Sequence, residues 1–254
     1  VVFTKGTGGT FDKVTVVMSN WACEHGHWYI PVGTVGTNGD GPCVTQPGPG
    51  AKFSQAITLK IYGVSGTTPG AVLASTTQTF QIPFRPSSDA KNCSAPNGDG
   101  EQWYNAPDKT CYHGLAVPIT FDLAPLHIPI PSTNQAIITL SYNTSDYGPQ
   151  PQRPQACNSL PAPDNDNCPY DSLNISTDNG GENTPPTNLV FAGSFLDPDS
   201  IFVNYANLDS ACPSTTKTGT LTIDAGCWAG FHPEIQVSAA GRKQTPPKPG
   251  PPTP

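Results

Sequence analysis

Short runs in which apolar and polar side chains alternate recur along this chain, and they limit its fold more than any other feature. Ile57–Tyr62 reads Ile-Thr-Leu-Lys-Ile-Tyr, a period of two that buries one face of an extended strand and wets the other. The stretch from Val72 to Ile82 ends Thr-Thr-Gln-Thr-Phe-Gln-Ile and alternates in the same way, while Val14–Met18 is a β-branched apolar run. Further strand-like runs are Val117–Leu123, Ala136–Tyr142, Leu189–Phe195, Ile201–Tyr205, Thr218–Ile223 and Ile235–Ser238. Long helices need sustained Ala, Leu, Glu, Lys and Arg. Here 30 prolines and 25 glycines punctuate a chain that is only 12% charged, which is how strands and turns read. The expectation is an all-β fold, a β-sandwich or jelly roll, spanning residues 11–240 as one domain.

The segments between the runs are long. Residues 19–52, 83–116 and 143–188 hold most of the cysteines and many of the aromatics. The eight cysteines are even in number and fall into four successive close pairs with no Cys-x-x-Cys among them, which argues against zinc ribbons and thioredoxin-type sites. Their spacing favours Cys23–Cys43, Cys93–Cys111, Cys157–Cys168 and Cys212–Cys227. Each such bridge closes a short loop, worth about 3 kcal/mol on the chain-entropy model, and cysteines used this way imply an oxidising compartment, extracellular or at the cell surface. Such local bridges stiffen loops more than they hold a core.

The net charge of −7, with 12 lysines and arginines scattered singly, disfavours nucleic acid as a partner, since counterion release needs clustered cations. No apolar run reaches the length of a membrane span. The opening Val1-Val2-Phe3-Thr4 lacks a basic leader and reads as a mature or trimmed form.

The candidate chemistry is sparse. His25-Gly26-His27 would place two imidazoles on one face of a strand, and His113, in Cys111-Tyr112-His113-Gly114, echoes Cys23-Glu24-His25-Gly26; together they are candidate ligands for copper or zinc. Asn38-Gly39-Asp40-Gly41 and Asn97-Gly98-Asp99-Gly100 repeat one tetrapeptide. Structural calcium could sit there, although neither string continues as an EF-hand, and ordinary Asn-Gly turns explain both more cheaply. No Gly-x-Ser-x-Gly occurs, and Gly63-Val64-Ser65-Gly66 reads as a hairpin turn. No carboxylate pair demands a glycosidase role. Trp21, Trp28, Trp103 and Trp228 lie in loops, where indole faces can stack on a sugar; alternatively they cover the disulfides and plug the ends of the fold. Sequons at Asn92, Asn143 and Asn174 mark surface positions if the host glycosylates asparagine.

The two ends differ in kind from the middle. Residues 1–10 are a β-prone strand (Val1, Val2, Phe3) on a glycine-rich hinge, able to pair with its own sheet or with the open edge of a neighbour. Residues 241–254 carry Pro246, Pro247, Pro249, Pro251 and Pro252, a polyproline II tail that loses little entropy when it docks and otherwise serves as a linker.

Four strings occur in order: Trp21-Ala22-Cys23 with Gly26-His27-Trp28; Thr79–Ser87 (Thr-Phe-Gln-Ile-Pro-Phe-Arg-Pro-Ser); Cys168–Asn174 (Cys-Pro-Tyr-Asp-Ser-Leu-Asn); and Cys227–Pro233 (Cys-Trp-Ala-Gly-Phe-His-Pro). In this order the chain resembles a Cys/Trp-patterned family of secreted bacterial β-sandwich proteins of actinobacterial type, over most of residues 11–238. The resemblance implies an extracellular location and a domain extent, and no reaction. The chain departs from that pattern in ending on a proline tail without a sorting signal. The expectation is a non-enzymatic extracellular subunit, needing no cofactor, that associates head-to-tail with copies of itself through its termini, since a contact that does not close builds a fibre or layer. The competing readings are a cell-surface glycan-binding module, and a secreted carbohydrate-active or metal-dependent enzyme using His25, His27 and His113.

Overall fold

The computed structural model describes residues 9–24, 42–45, 52–66, 68–142, 173–176, 202–203, 222–223 and 233–240. Their fold is all-β, built from several antiparallel sheets, with one short 3-10 turn at Ala124–Leu126. The strands are β1 (Thr10–Asn20), β2 (Lys52–Ser65), β3 (Thr68–Pro83), β4 (Trp103–Asn105), β5 (Thr110–Tyr112), β6 (Leu115–Asp122), β7 (Ile137–Ser141), β8 (Leu173–Ile175), β9 (Phe202–Val203), β10 (Thr222–Ile223) and β11 (Ile235–Ala240).

One sheet runs in the order β11-β1-β6, and a second in the order β3-β2-β7. Two smaller pairs, β4 with β5 and β9 with β10, complete the described strands. Along one side of β1 the partner changes: β11 pairs with Thr10–Val16 and β8 with Met18–Asn20. The changeover is closed by Val17 N–H to Glu234 O, Ser176 N–H to Val17 O and Glu234 N–H to Ser176 O, each 2.9 Å. Every amide at the join therefore keeps a partner.

The burial pattern follows the alternation in the sequence. On β2, Phe53, Ile57, Leu59 and Ile61 are buried while Ser54 and Ala56 are exposed. On β6, Val117, Ile119 and Phe121 are buried, whereas Pro118, Thr120 and Asp122 face solvent. Phe11 and Val14 both point inward although three residues apart, because a register shift between Phe11 and Lys13 inserts one residue and restores the phase. These side chains, with Val16, Met18, Ile82, Leu123 and Leu173, form one hydrophobic cluster drawn from both sheets. Phe80 of β3 meets Phe121 of β6 edge-to-face, ring centres 5.0 Å apart. Asn20, fully buried at the end of β1, donates to Pro83 O at 2.6 Å and so ties that strand to the end of β3.

The first and last strands of the described fold meet rung for rung, Thr10 opposite Ala240. At this point the backbone of residue 9 passes so close to the Ala240 carbonyl that a Cβ would collide with it, and φ is +144°. Only glycine fits both conditions. The Gly9 carbonyl also accepts Ile130 N–H at 2.9 Å, which holds residues 128–130 beside the start of β1. The β2–β3 turn lies at Ser65–Thr68, with Gly66 at φ +63°. Gly63 and Val64, expected within that turn, are strand residues.

Candidate functional site

The described part of the two loop regions 19–45 and 83–116 converges on one cation. After β3 ends at Pro83, Phe84 turns inward onto Phe53, with ring centres 5.1 Å apart, and Arg85 follows it to complete burial. A buried guanidinium costs several kcal/mol unless its N–H groups meet acceptors. Here Nη2 donates to Glu101 O at 2.5 Å and to Ser88 Oγ at 3.0 Å, and Nε to Pro86 O at 3.2 Å. The Ser88 hydroxyl donates in turn to Glu101 O at 2.7 Å. The backbone of Arg85 reaches two further segments: its N–H donates to Ala22 O at 3.0 Å, and its carbonyl accepts Thr45 Oγ1 at 2.6 Å. One residue thus binds the exit of β1, residues 43–45 and the loop before β4.

Two disulfides flank this knot. Cys23–Cys43 and Cys93–Cys111 have Cα separations of 5.4 and 5.7 Å, and no free cysteine occurs among the described residues. Ser88 N–H donates to Cys43 O at 2.9 Å, and Ser87 Oγ receives Thr45 N–H at 2.9 Å. The second bridge joins the turn at Asp89–Gly100 to the β4–β5 hairpin. Gly100 N–H donates to Cys93 O at 2.7 Å, and a Cβ on Gly98 would collide with that same carbonyl and with Gln102 Oε1. The Asn97–Gly100 string is therefore a tight turn wrapped on the disulfide.

Trp21, His113 and Asp99 meet beside the turn. The His113 ring stacks on Trp21, with centres 5.3 Å apart and planes 11° from parallel, and His113 Nε2 lies 2.7 Å from Asp99 Oδ2. Asp99 Oδ1 accepts Glu101 N–H at 2.9 Å. Partial burial pushes the Asp99 carboxyl up, but the Glu101 amide and the neighbouring His113 more than offset this and hold it below its ordinary value of 3.8. A carboxyl lowered on folding stabilises the fold above its ordinary value, and the contribution is lost as pH falls through the lowered one. Asp99→Asn is accordingly expected to destabilise the protein at neutral pH by an amount that shrinks below about pH 4, read from urea midpoints of both proteins across an acid series. An equal difference at every pH would show that the carboxylate charge plays no part.

The residues singled out in the sequence are distributed as follows. Trp103 is only 7% exposed, donates its indole N–H to Gly114 O at 2.9 Å and packs on Tyr112 at 5.7 Å. It plugs the base of the hairpin and presents no open face on which a sugar could stack. Trp21 is half-buried, with one face taken by His113 and its indole N–H donated to Ser19 Oγ at 2.9 Å. His113 has Nε2 committed to Asp99. Asn92 is exposed, and its side-chain amide donates to Asp89 Oδ2 at 2.6 Å. Asn174 is half-buried in β8, opposite Ser19. His25, His27, Trp28, Trp228, Asn143, Cys157, Cys168, Cys212 and Cys227 lie outside the described residues, as do the terminal Val1, Val2, Phe3, Pro246, Pro247, Pro249, Pro251 and Pro252. Among the described residues no group of three His, Cys, Asp or Glu is placed to hold a metal ion, and no helix is long and apolar enough to cross a membrane.

The chain finds no match among protein-family models, curated proteins or solved structures.

Chemically, the cluster holds backbone in place. The side chains of Arg85, Ser87, Ser88 and Thr45 direct these hydrogen bonds to carbonyls, amides or one another, and Trp103 packs on Tyr112 across the β4–β5 hairpin. Sequence reasoning passed over Arg85. Its one signal was a cation set directly inside Ile82-Pro83-Phe84-Arg85-Pro86, a run otherwise built for burial.

Proposed function

We propose that this chain is an extracellular structural subunit that associates with copies of itself through its terminal segments, residues 1–8 and 241–254, into a surface fibre or layer. The observation that carries the reading is the Thr10–Ala240 rung. It sets Thr10 and Ala240, from which the two terminal segments depart, opposite each other at one end of one sheet, with Gly9 shaped for that close approach. A β-prone strand and a proline-rich tail then start from a single point on a body stiffened by two disulfides, so one neighbouring molecule can engage both.

The extracellular placement is supported by those bridges, which persist in oxidising compartments, and by the four strings, three with Cys and two with Trp, that resemble secreted bacterial proteins. A non-enzymatic role is supported by the use of the loop cluster to hold backbone. The expected result is that deleting residues 1–5, or residues 244–254, reduces the mass of the native assemblies in light scattering while the circular dichroism of the sheets is unchanged. Assemblies of unchanged mass in both deletions would refute the reading.

A further inference from the structure

Four outer strands of the two large sheets, β6, β7, β11 and β3, differ in how they are guarded. A strand at the edge of a sheet offers unpaired N–H and C=O groups to any extended chain, and proteins blunt such edges with charges, proline or short length. The outer strand β6 carries Pro118 and Asp122. The outer strands β7 and β11 are short, at 5 and 6 residues. The fourth, β3, is 16 residues long and holds no charged residue; among the described residues its only partner is β2. Prolines stand at 69 and 83, near its ends, leaving 70–82 free of them.

The side chains of β3 suit a neighbour as well. On its solvent face Ser75, Thr77, Thr79 and Gln81 are exposed and neutral, and Thr77 and Gln81 are oriented by bonds to Thr58 at 2.8 Å and to Ser54 at 2.6 Å. On the core-facing side Ala74, Thr76, Gln78 and Phe80 are only half-buried, although the facing residues of β2, from Gln55 to Ile61, are fully so. Val72 and Leu73, 55% and 38% exposed, are among the largest apolar side chains left in solvent. The register irregularities of the β2–β3 ladder are confined to Ile61–Val64, so β3 from Ala74 onward is regular enough to accept another strand.

We infer that the free edge of β3 pairs antiparallel with β3 of a second copy of this chain, across a two-fold axis near Thr77. That register sets Thr77 against Thr77, Ser75 against Thr79 and Ala74 against Phe80. No like charges meet, and the half-buried inner row is covered by its own symmetry mate. The β3-β2-β7 sheet becomes continuous through the two molecules. This interface is isologous and closes, so it is distinct from the contact proposed for the termini and makes the repeating unit a pair.

Charge placed on the edge tests this directly, because lysines at self-opposed positions repel only if the edge meets its own copy. Two full-length variants are needed: Ser75→Lys with Thr77→Lys and Thr79→Lys, and the same three positions changed to Glu. Sedimentation at micromolar concentration should show twice the chain mass as the smallest wild-type species and the single-chain mass for either variant. An equimolar mixture of the two variants should return to twice the mass. If a triple variant loses the circular dichroism of the fold, the single pair Thr79→Lys and Thr79→Glu replaces it, with the same readings. A single-chain wild type, or charged variants that stay paired, would overturn the inference. So would a mixture that stays single, or a deletion of residues 1–5 that abolishes the doubled mass, since either result would mean that another strand occupies the edge. Retention of the doubled mass after that deletion supports it, even where larger assemblies are unaffected and the terminal reading fails.

Discussion

Arg85→Ala should destabilise the fold by about 3 kcal/mol, the upper end of what hydrogen bonds to a charged group contribute. The side chain is 0% exposed, its Nε donates to Pro86 O, and its Nη2 donates to Ser88 Oγ and Glu101 O. Truncation removes the cation and leaves those acceptors buried beside a void, and both losses add to the cost. The measurement is the denaturant midpoint of the variant against wild type. Arg85→Lys separates charge from shape: a lysine keeps the charge but has no planar fork to reach Ser88 and Glu101 together, so most of the loss should remain. A lysine variant as stable as wild type would mean that the loops need only a buried cation. The effect should be local at first, because the cluster joins segments 22, 45 and 101 and not the two large sheets.

The second large effect is expected from the bridges. Replacing Cys93 and Cys111 together by Ala, or Cys23 and Cys43 together, should each cost about 3 kcal/mol, since both close loops of 18–20 residues. Most of this arises in the unfolded chain, so strand pairing within β1–β6 and β2–β3 should survive. Hydrogen exchange distinguishes the cases: amides of residues 84–112 should lose protection in the Cys93/Cys111 variant while those of Ile57–Ile61 keep theirs. Collapse of protection in both regions would show that the bridges support the core itself, contrary to their reading as clamps on loops.

The strands of the two large sheets were legible because their side chains alternate. Ile57–Tyr62 and Val72–Ile82 proved to be the centres of longer strands, and Val117–Leu123 and Ala136–Tyr142 differ from β6 and β7 by one or two residues. The extensions escaped notice where alternation fails: Lys52–Ala56 carries small and polar residues, and Phe11 is displaced from the phase of Val14 by the irregularity between them. Proximity along the chain was enough for Cys23–Cys43 and Cys93–Cys111. The β4–β5 hairpin lay hidden within a stretch read as loop, because three-residue strands such as Trp103–Asn105 are too short to display a period. The same holds for β8, whose place is set by the end of β1 and not by its own sequence.

The loop cluster was less legible than the fold. Asp99 and His113 were both noted, one for calcium and one for copper or zinc, yet they lie 14 residues apart and only the disulfide turn brings them together. Trp103 was weighed as a sugar platform and also as a plug. Local sequence cannot separate the two, since they differ only in which side of the ring is covered.

The rung between Thr10 and Ala240 also governs how the molecule bears tension. The two ends of the chain leave neighbouring, oppositely directed strands at the same end. Residues 128–130 hold the other side of the start of β1, so a pull between the two ends loads the Thr10–Ala240 rung first, and β11 then peels from β1 one rung at a time, as a zip opens. Strands pulled from opposite ends would instead resist in shear, with all their bonds loaded together. A thread of such subunits joined first end to last end would therefore fail at its weakest seam under modest force. One in which each molecule is gripped by both ends at once keeps the seam closed, because the load never passes between them.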